Sequence, residues 1–210
     1  MEQLPGLPAE AFDKVDGGPD PAFYAQPRFV THIDAGAIAA VTQIYRDALP
    51  PGGDVLDLMS SWVSHLPDDI EYGRVVGHGM NPDELAANPR LSRWFVQDLN
   101  ALQKLPLEDA TFDAACICVS VQYLQHPVQV FTEIARVLRP GGSLVVSFSN
   151  RCFPTKAVAI WRALSGSDQQ GLVAAYMQAA GFQDITGHAA TPPRSDPLWA
   201  VVGRAAPTRS

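Results

Sequence analysis

Long apolar runs are missing from this chain. No stretch approaches the roughly 20 residues that span a bilayer, and the N-terminus, MEQLPGLPAEAFDKVDGG, has no basic segment followed by an apolar one. The expectation is a cytoplasmic protein without membrane contact. Cysteine is scarce. Of the three, Cys116 and Cys118 stand two apart inside one apolar run, which builds neither a disulfide framework nor a zinc ligand set. They read as core thiols, and no metal site is expected. Clustered positive charge is lacking as well. With 15 Lys and Arg against 22 Asp and Glu, the formal charge is −7, and an acidic surface repels a polyanion unless a basic face is set apart from it. A small-molecule or protein partner is favoured over nucleic acid. No internal repeat or low-complexity segment is found.

What is present is enough for one substantial core: 210 residues, 47% of them apolar and 18% charged. Residues 1–30 form an expected N-terminal arm, rich in proline up to residue 28. Residues 31–205 form the main domain, and 206–210 a tail. Apolar positions recur at helical spacing from Thr31 to Leu49, up to the stop PPGG. Short apolar runs follow, DVLDL, RVVGHGM, RWFVQDL, FDAACICVSV and GSLVVSFSN, with PVQVFTEIARVLRPGG reading as a helix and its stop between the last two. Strands alternating with helices imply parallel pairing with right-handed crossovers, a doubly wound α/β sheet. After the helical QGLVAAYMQAAG, the runs FQDITGHAA and LWAVVGRA read as a closing antiparallel pair.

The segment FDAACICVSVQYLQHPVQVFTEIARVLRPGGSLVVSFSN resembles the class I S-adenosylmethionine-dependent methyltransferases, especially the small-molecule type related to ubiquinone and menaquinone methyltransferases. Its RVLRPGG turn is specific to that fold, and the order of elements over residues 31–205 also resembles the family. The resemblance implies a Rossmann-like seven-stranded sheet, mostly parallel with a C-terminal antiparallel pair. It implies S-adenosyl-L-methionine as cofactor, S-adenosyl-L-homocysteine as product and a small-molecule methyl acceptor, in a monomer or homodimer. By the same resemblance, Asp57 matches the acid that ends the first strand, Met59 to Trp62 the cofactor loop, and Gly79 the acid that takes both ribose hydroxyls. Asp98 matches the residue facing the adenine amino group, with Leu99 beside it, and Val119 and Ser120 approach the methionine moiety.

Two positions depart from the family pattern. The cofactor loop is normally glycine-rich because glycine lets backbone approach a ligand closely, yet this loop reads Met59, Ser60, Ser61, Trp62. The second strand, in GHGMNPDEL, carries Gly77 and Gly79 where bulk and charge are usual. We read these as a linked exchange, in which space lost at one wall is regained at the other. Met80 joins the candidate cofactor residues. Asn81 is the candidate ribose partner, its amide offering donors and an acceptor, with helix capping as the competing role. Ser60, Ser61 and Arg28 are candidates for the cofactor carboxylate.

Candidate substrate residues are Tyr24, Gln122, Tyr123, Asn150 and Arg151, and candidate catalytic groups are His32 on the arm and Tyr123. His65, His78 and His188 read as structural, and Cys152 as an inert thiol. The arm is expected to close over the site. The leading expectation is methyl transfer to a small nucleophile. The alternative is a protein that binds the same cofactor without turnover. A nicotinamide dehydrogenase is weaker, since no G-x-G-x-x-G follows the first strand.

Overall fold

The computed structural model describes Leu4 and residues 6–207, so part of the 206–210 tail lies outside the described residues. The arm contains a short 3-10 turn, Ala9–Phe12, and a single-turn helix α1, Asp20–Phe23. Helix α2 spans Ala35–Ala48. It starts later than the apolar periodicity indicates because Asp34 caps it, accepting from Ala37 N at 3.0 Å. Strands β1 (Val55–Leu58), β2 (Val75–Gly79), β3 (Arg93–Val96), β4 (Phe112–Cys118) and β5 (Leu138–Ser149) follow. Between β2 and β3 lies helix α3, Pro82–Ala87, and between β4 and β5 lies α4, Pro127–Val137, with proline at its first turn where a missing N–H costs nothing. Helices α5 (Ala159–Ala163) and α6 (Gly166–Ala179) precede the closing strands β6 (Gln183–Ala190) and β7 (Leu198–Arg204).

The seven strands run β3-β2-β1-β4-β5-β7-β6. The first five are parallel neighbours, and β7 enters antiparallel to both β5 and β6. The expected sheet and its closing pair are therefore present. One local difference concerns RPGG. Rather than ending the helix as a free turn, Arg139–Gly142 is carried into β5 as an irregular start, with Gly141 at φ 78° and a register shift between Phe112 and Ala114.

Side chains alternate across the strands. Leu56, Leu58, Ala115, Ile117, Leu144 and Val146 pack towards the face covered by Val130, Phe131 and Ile134 of α4 and Val173 and Met177 of α6. Val55, Ala114, Cys116 and Val145 face Ala37, Val41 and Tyr45 of α2. Strand order reverses direction between β1 and β4, and a crevice opens outside the carboxyl ends there, the general ligand position of such sheets.

The arm is fastened to the domain. Phe12 is 2% exposed within the larger core, and Lys14 bridges to Val158, with Ala159 N donating to Asp13 O at 2.8 Å. Lys14 and Lys156, both with side chains at 3% exposure or less, meet Asp20 at 2.5 and 3.2 Å. Asn100 Nδ2 donates to the same carboxylate at 2.9 Å and to Tyr123 O at 3.0 Å. This cluster joins the arm to the loops after β3, β4 and β5.

Candidate active site

The crevice holds a cavity of about 320 Å³ walled by the arm and by the segments after β1 to β5, within the size range of small-ligand pockets. Asp57 is one of its walls and is 2% exposed. Its Oδ2 accepts from Ser60 Oγ at 2.6 Å and its Oδ1 from Cys116 Sγ at 3.5 Å. Burial pushes its pKa up to about 6, against the lowering effect of bonds from Ser60, Ser64 and Cys116.

The loop after β1 takes its path from His78. Met59 N donates to His78 Nδ1 at 3.1 Å and Ser60 N to His78 O at 2.6 Å. The other ring nitrogen, Nε2, lies 2.9 Å from Gln97 O. A carbonyl only accepts, so the proton is on Nε2 and the ring is neutral. Burial, outweighing the Gln97 bond and Asp98, lowers its pKa to about 4. The loop is thus strapped across β2, and Ser60 O comes to lie 2.5 Å from where a Cβ on Gly79 would stand. An acid at the tip of β2 and this loop path exclude each other, which gives the two departures one steric cause. Met59 at φ 57° and Val119 at φ 45° hold left-handed backbone at the ends of β1 and β4. For β-branched Val119 this is a strained conformation of the kind that clusters at functional sites.

Glu84, on α3, is the site residue that sequence reasoning missed. It is 9% exposed and lines the cavity, accepting from Arg28 N and from Ser61 Oγ, each at 2.6 Å. The only signal was its place three residues after Asn81, which reads as a capping acid; instead the carboxylate turns into the cavity.

Met59, Ser60, Ser61, Gly79, Met80, Asn81, Asp98, Leu99, Val119 and Ser120 all line the cavity, as do Tyr24, Arg28, His32, Tyr123 and Arg151. Asn81 has its amide fully engaged. Its Oδ1 accepts from Asp83 N and Glu84 N, and its Nδ2 donates to Tyr24 O and Ala25 O, so it caps α3 and anchors the arm. Asp98 Oδ1 accepts from Asn100 N at 2.9 Å. Arg28 lies 4.6 Å over the Phe23 ring and 5.4 Å over Phe153. One of its Nη atoms donates to Phe23 O at 2.9 Å, while Nη1 is buried and unpaired among the described residues. Ser120 Oγ is likewise buried and unpaired.

Three expected contacts are not made. Gln122 is 1% exposed and turned away from the cavity, donating to Val119 O at 2.8 Å. Asn150 is exposed outside the cavity and accepts from Ser149 Oγ. Gly77 faces the Leu91 side chain. Tyr123 packs against Phe153 with ring centroids 5.9 Å apart, and its hydroxyl accepts from Phe153 N at 2.9 Å. Burial raises its pKa to about 12, which removes it as a base at neutral pH. Arg151 pairs with Asp196 at 2.8 Å. His32 stands at the rim, its ring 5.5 Å from Phe153. Partial burial and Arg28 hold its pKa below the ordinary value, against Glu84. His65 also lines the cavity, whereas His188 lies in exposed β6. Burial raises the pKa of the Cys152 thiol, as expected of an unreactive one.

Residues 61–146 match the protein family described as methyltransferase domain. Over these residues the chain carries the sequence pattern of a methyltransferase domain. The match begins at Ser61, just past the part of the loop that crosses Gly79. Among curated proteins, the chain is 28% identical over 116 residues to a malonyl-[acyl-carrier protein] O-methyltransferase of Hahella chejuensis, covering 51% of this chain and 40% of that one. It is 39% identical over 57 residues to the ubiquinone/menaquinone biosynthesis C-methyltransferase of Laribacter hongkongensis, covering 27% and 23%. The chain thus spans less than half the length of these relatives. Among solved structures, a putative methyltransferase of Haloferax volcanii, in complex with an activator protein, superposes with a TM-score of 0.64 at 16% identity over 83% of this chain and 92% of that one. At that identity the likeness is one of fold. No helix among the described residues is long and apolar enough to cross a membrane.

Proposed function

We propose that the protein transfers the methyl group of S-adenosyl-L-methionine to a small-molecule nucleophile and releases S-adenosyl-L-homocysteine. The observation that carries this reading is the pair of buried, unpaired polar atoms, Arg28 Nη1 and Ser120 Oγ, on the cavity wall. A buried polar group without a partner costs about 1–3 kcal/mol, and the carboxylate of an amino-acid-bearing ligand offers acceptors for both. Asp98 and the Leu99 backbone suit the adenine edge. With the amide of Asn81 engaged, Glu84 is the side chain that retains acceptor capacity for ribose hydroxyls, since each carboxylate oxygen takes more than one bond.

When bound, the cofactor supplies an electrophilic sulfonium methyl group. The chain's part is orientation and exclusion of water. Asp57 provides negative charge facing a cationic ligand, and Phe23, Tyr24, Tyr123 and Phe153 enclose the acceptor. His32, neutral at pH 7, takes a proton from a hydroxyl or ammonium acceptor. A panel of thiols, phenols, amines and carboxylates, assayed for S-adenosylhomocysteine release, tests the reaction. Cofactor binding with no release on any acceptor would return the reading to a binding protein, an alternative that the relatives named as methyltransferases do not favour.

A further inference from the structure

Outside the cavity mouth the arm and the loop after β1 meet in an apolar rim that nothing among the described residues covers. Phe29 is 51% exposed and Val30 56%. Phe29 packs edge to face on Trp62 with centroids 6.4 Å apart. Trp62 Nε1 donates to Val30 O at 3.1 Å, so the one polar atom of the indole is spent inside the protein and its outer surface is hydrocarbon. The hydrogen bond also fixes the spacing of the two segments, which makes the rim a preset surface. Val30 belongs to both the rim and the cavity wall, so the apolar surface is continuous from the mouth inwards.

The cavity, at about 320 Å³, is at the lower end of the range for small-ligand pockets. A ligand of the size of S-adenosylmethionine fills most of it, leaving the acceptor only the space next to the mouth. We infer that the methyl acceptor is an amphiphile, with a reactive head that enters beside His32 and an apolar chain that leaves over Val30, Phe29 and Trp62. The inference rests on the methyltransferase reading for the word acceptor, while the apolar subsite stands on the rim alone.

The test uses 1-hexanol, 1-octanol and 1-decanol as neutral probes, titrated into the full chain with and without S-adenosylhomocysteine and followed by tryptophan fluorescence. A methylene laid on a surface that covers about half of it tightens binding about twofold, so decanol, with four more methylenes, is expected to bind roughly fifteenfold more tightly than hexanol. In Phe29→Ser, a change at an exposed position, that gradient is expected to fall to threefold or less, with Val30→Ser behaving alike. No gradient in the natural chain, or one unchanged in both variants, would overturn the inference. Failure of S-adenosylhomocysteine to bind, measured in the same titrations, would instead sink the methyltransferase reading and leave the alkanol gradient to decide the subsite.

Discussion

Replacing Asp57 by asparagine is predicted to make the protein more stable and a weaker binder. In the folded chain the carboxyl pKa is about 6 against an ordinary 3.8. The folded state therefore holds the proton more tightly than the unfolded one. The carboxyl's contribution to stability is most favourable below the ordinary pKa and declines as pH rises towards 6. Above pH 6 the ionised group costs about 2 pH units times 1.36 kcal/mol, or about 3 kcal/mol. Asparagine removes that charge and keeps an oxygen for Ser60 Oγ, while losing the weak bond from Cys116 Sγ, so a net gain of about 2 kcal/mol is expected. For a chain of this length that is a rise in Tm of about 4–8 °C. Thermal unfolding of both proteins at pH 7.5 and pH 5 reads the effect, which should be clearly smaller at pH 5. If the carboxylate faces the ligand's ammonium group, S-adenosylhomocysteine affinity in the same variant falls at least about tenfold, the loss of one charged hydrogen bond. A variant no more stable at pH 7.5, or equally stabilised at both pH values, would refute the account of a buried, ionised Asp57.

Gly79→Asp places an acid where the sequence resemblance expects one, yet it should not improve binding. Its Cβ meets Ser60 O at 2.5 Å, a backbone atom that cannot step aside cheaply, so a loss of about 1–3 kcal/mol is expected, read as a Tm fall of several degrees. Asp20→Ala leaves Lys14 and Lys156 buried without their shared carboxylate, at a cost of about 3–5 kcal/mol and with faster proteolysis in the arm. Burial alone would raise the Asp20 pKa, but bonds from Lys14, Asn100 and Lys156 hold it below the ordinary value. Its contribution is thus present above the ordinary carboxylate pKa and lost as pH falls through the lowered one. Destabilisation by Asp20→Ala should accordingly be as large at pH 5 as at pH 7 and shrink only well below the ordinary carboxylate pKa of 3.8, which urea unfolding at pH 7 and at about pH 2.5 would check.

The sheet was legible because its signals are local and repeated. Apolar runs of strand length alternate with helical spacing, and the tail carries two runs with only a turn between them. Cavity-lining positions were legible to the extent that strand ends locate them, as for Asp57, Asp98 and Ser120. The roles of individual polar side chains were less so, because they depend on partners far away in sequence. Asn81 reads as a ribose partner until the arm delivers the carbonyls of Tyr24 and Ala25 to its amide. Glu84 reads as a capping acid until Ser61 and Arg28 turn it inwards. Gln122 and Asn150 sit at the expected strand ends, but the backbone there points their side chains elsewhere. Gly79 is the opposite case, where an absence in the sequence marked a close contact that the fold then explained.

On the proposed reading a loop without glycine still leaves a cofactor site, with Arg28 and Ser120 holding the ligand's carboxylate. Calorimetric titration with S-adenosylmethionine and S-adenosylhomocysteine, on the natural chain and on Arg28→Ala/Ser120→Ala, tests it most directly. Saturable binding of both ligands by the natural chain is expected, and a loss of about a hundredfold in the double variant, one charged and one neutral hydrogen bond together. No binding of either ligand at millimolar concentration, or binding that the double variant retains in full, would contradict it.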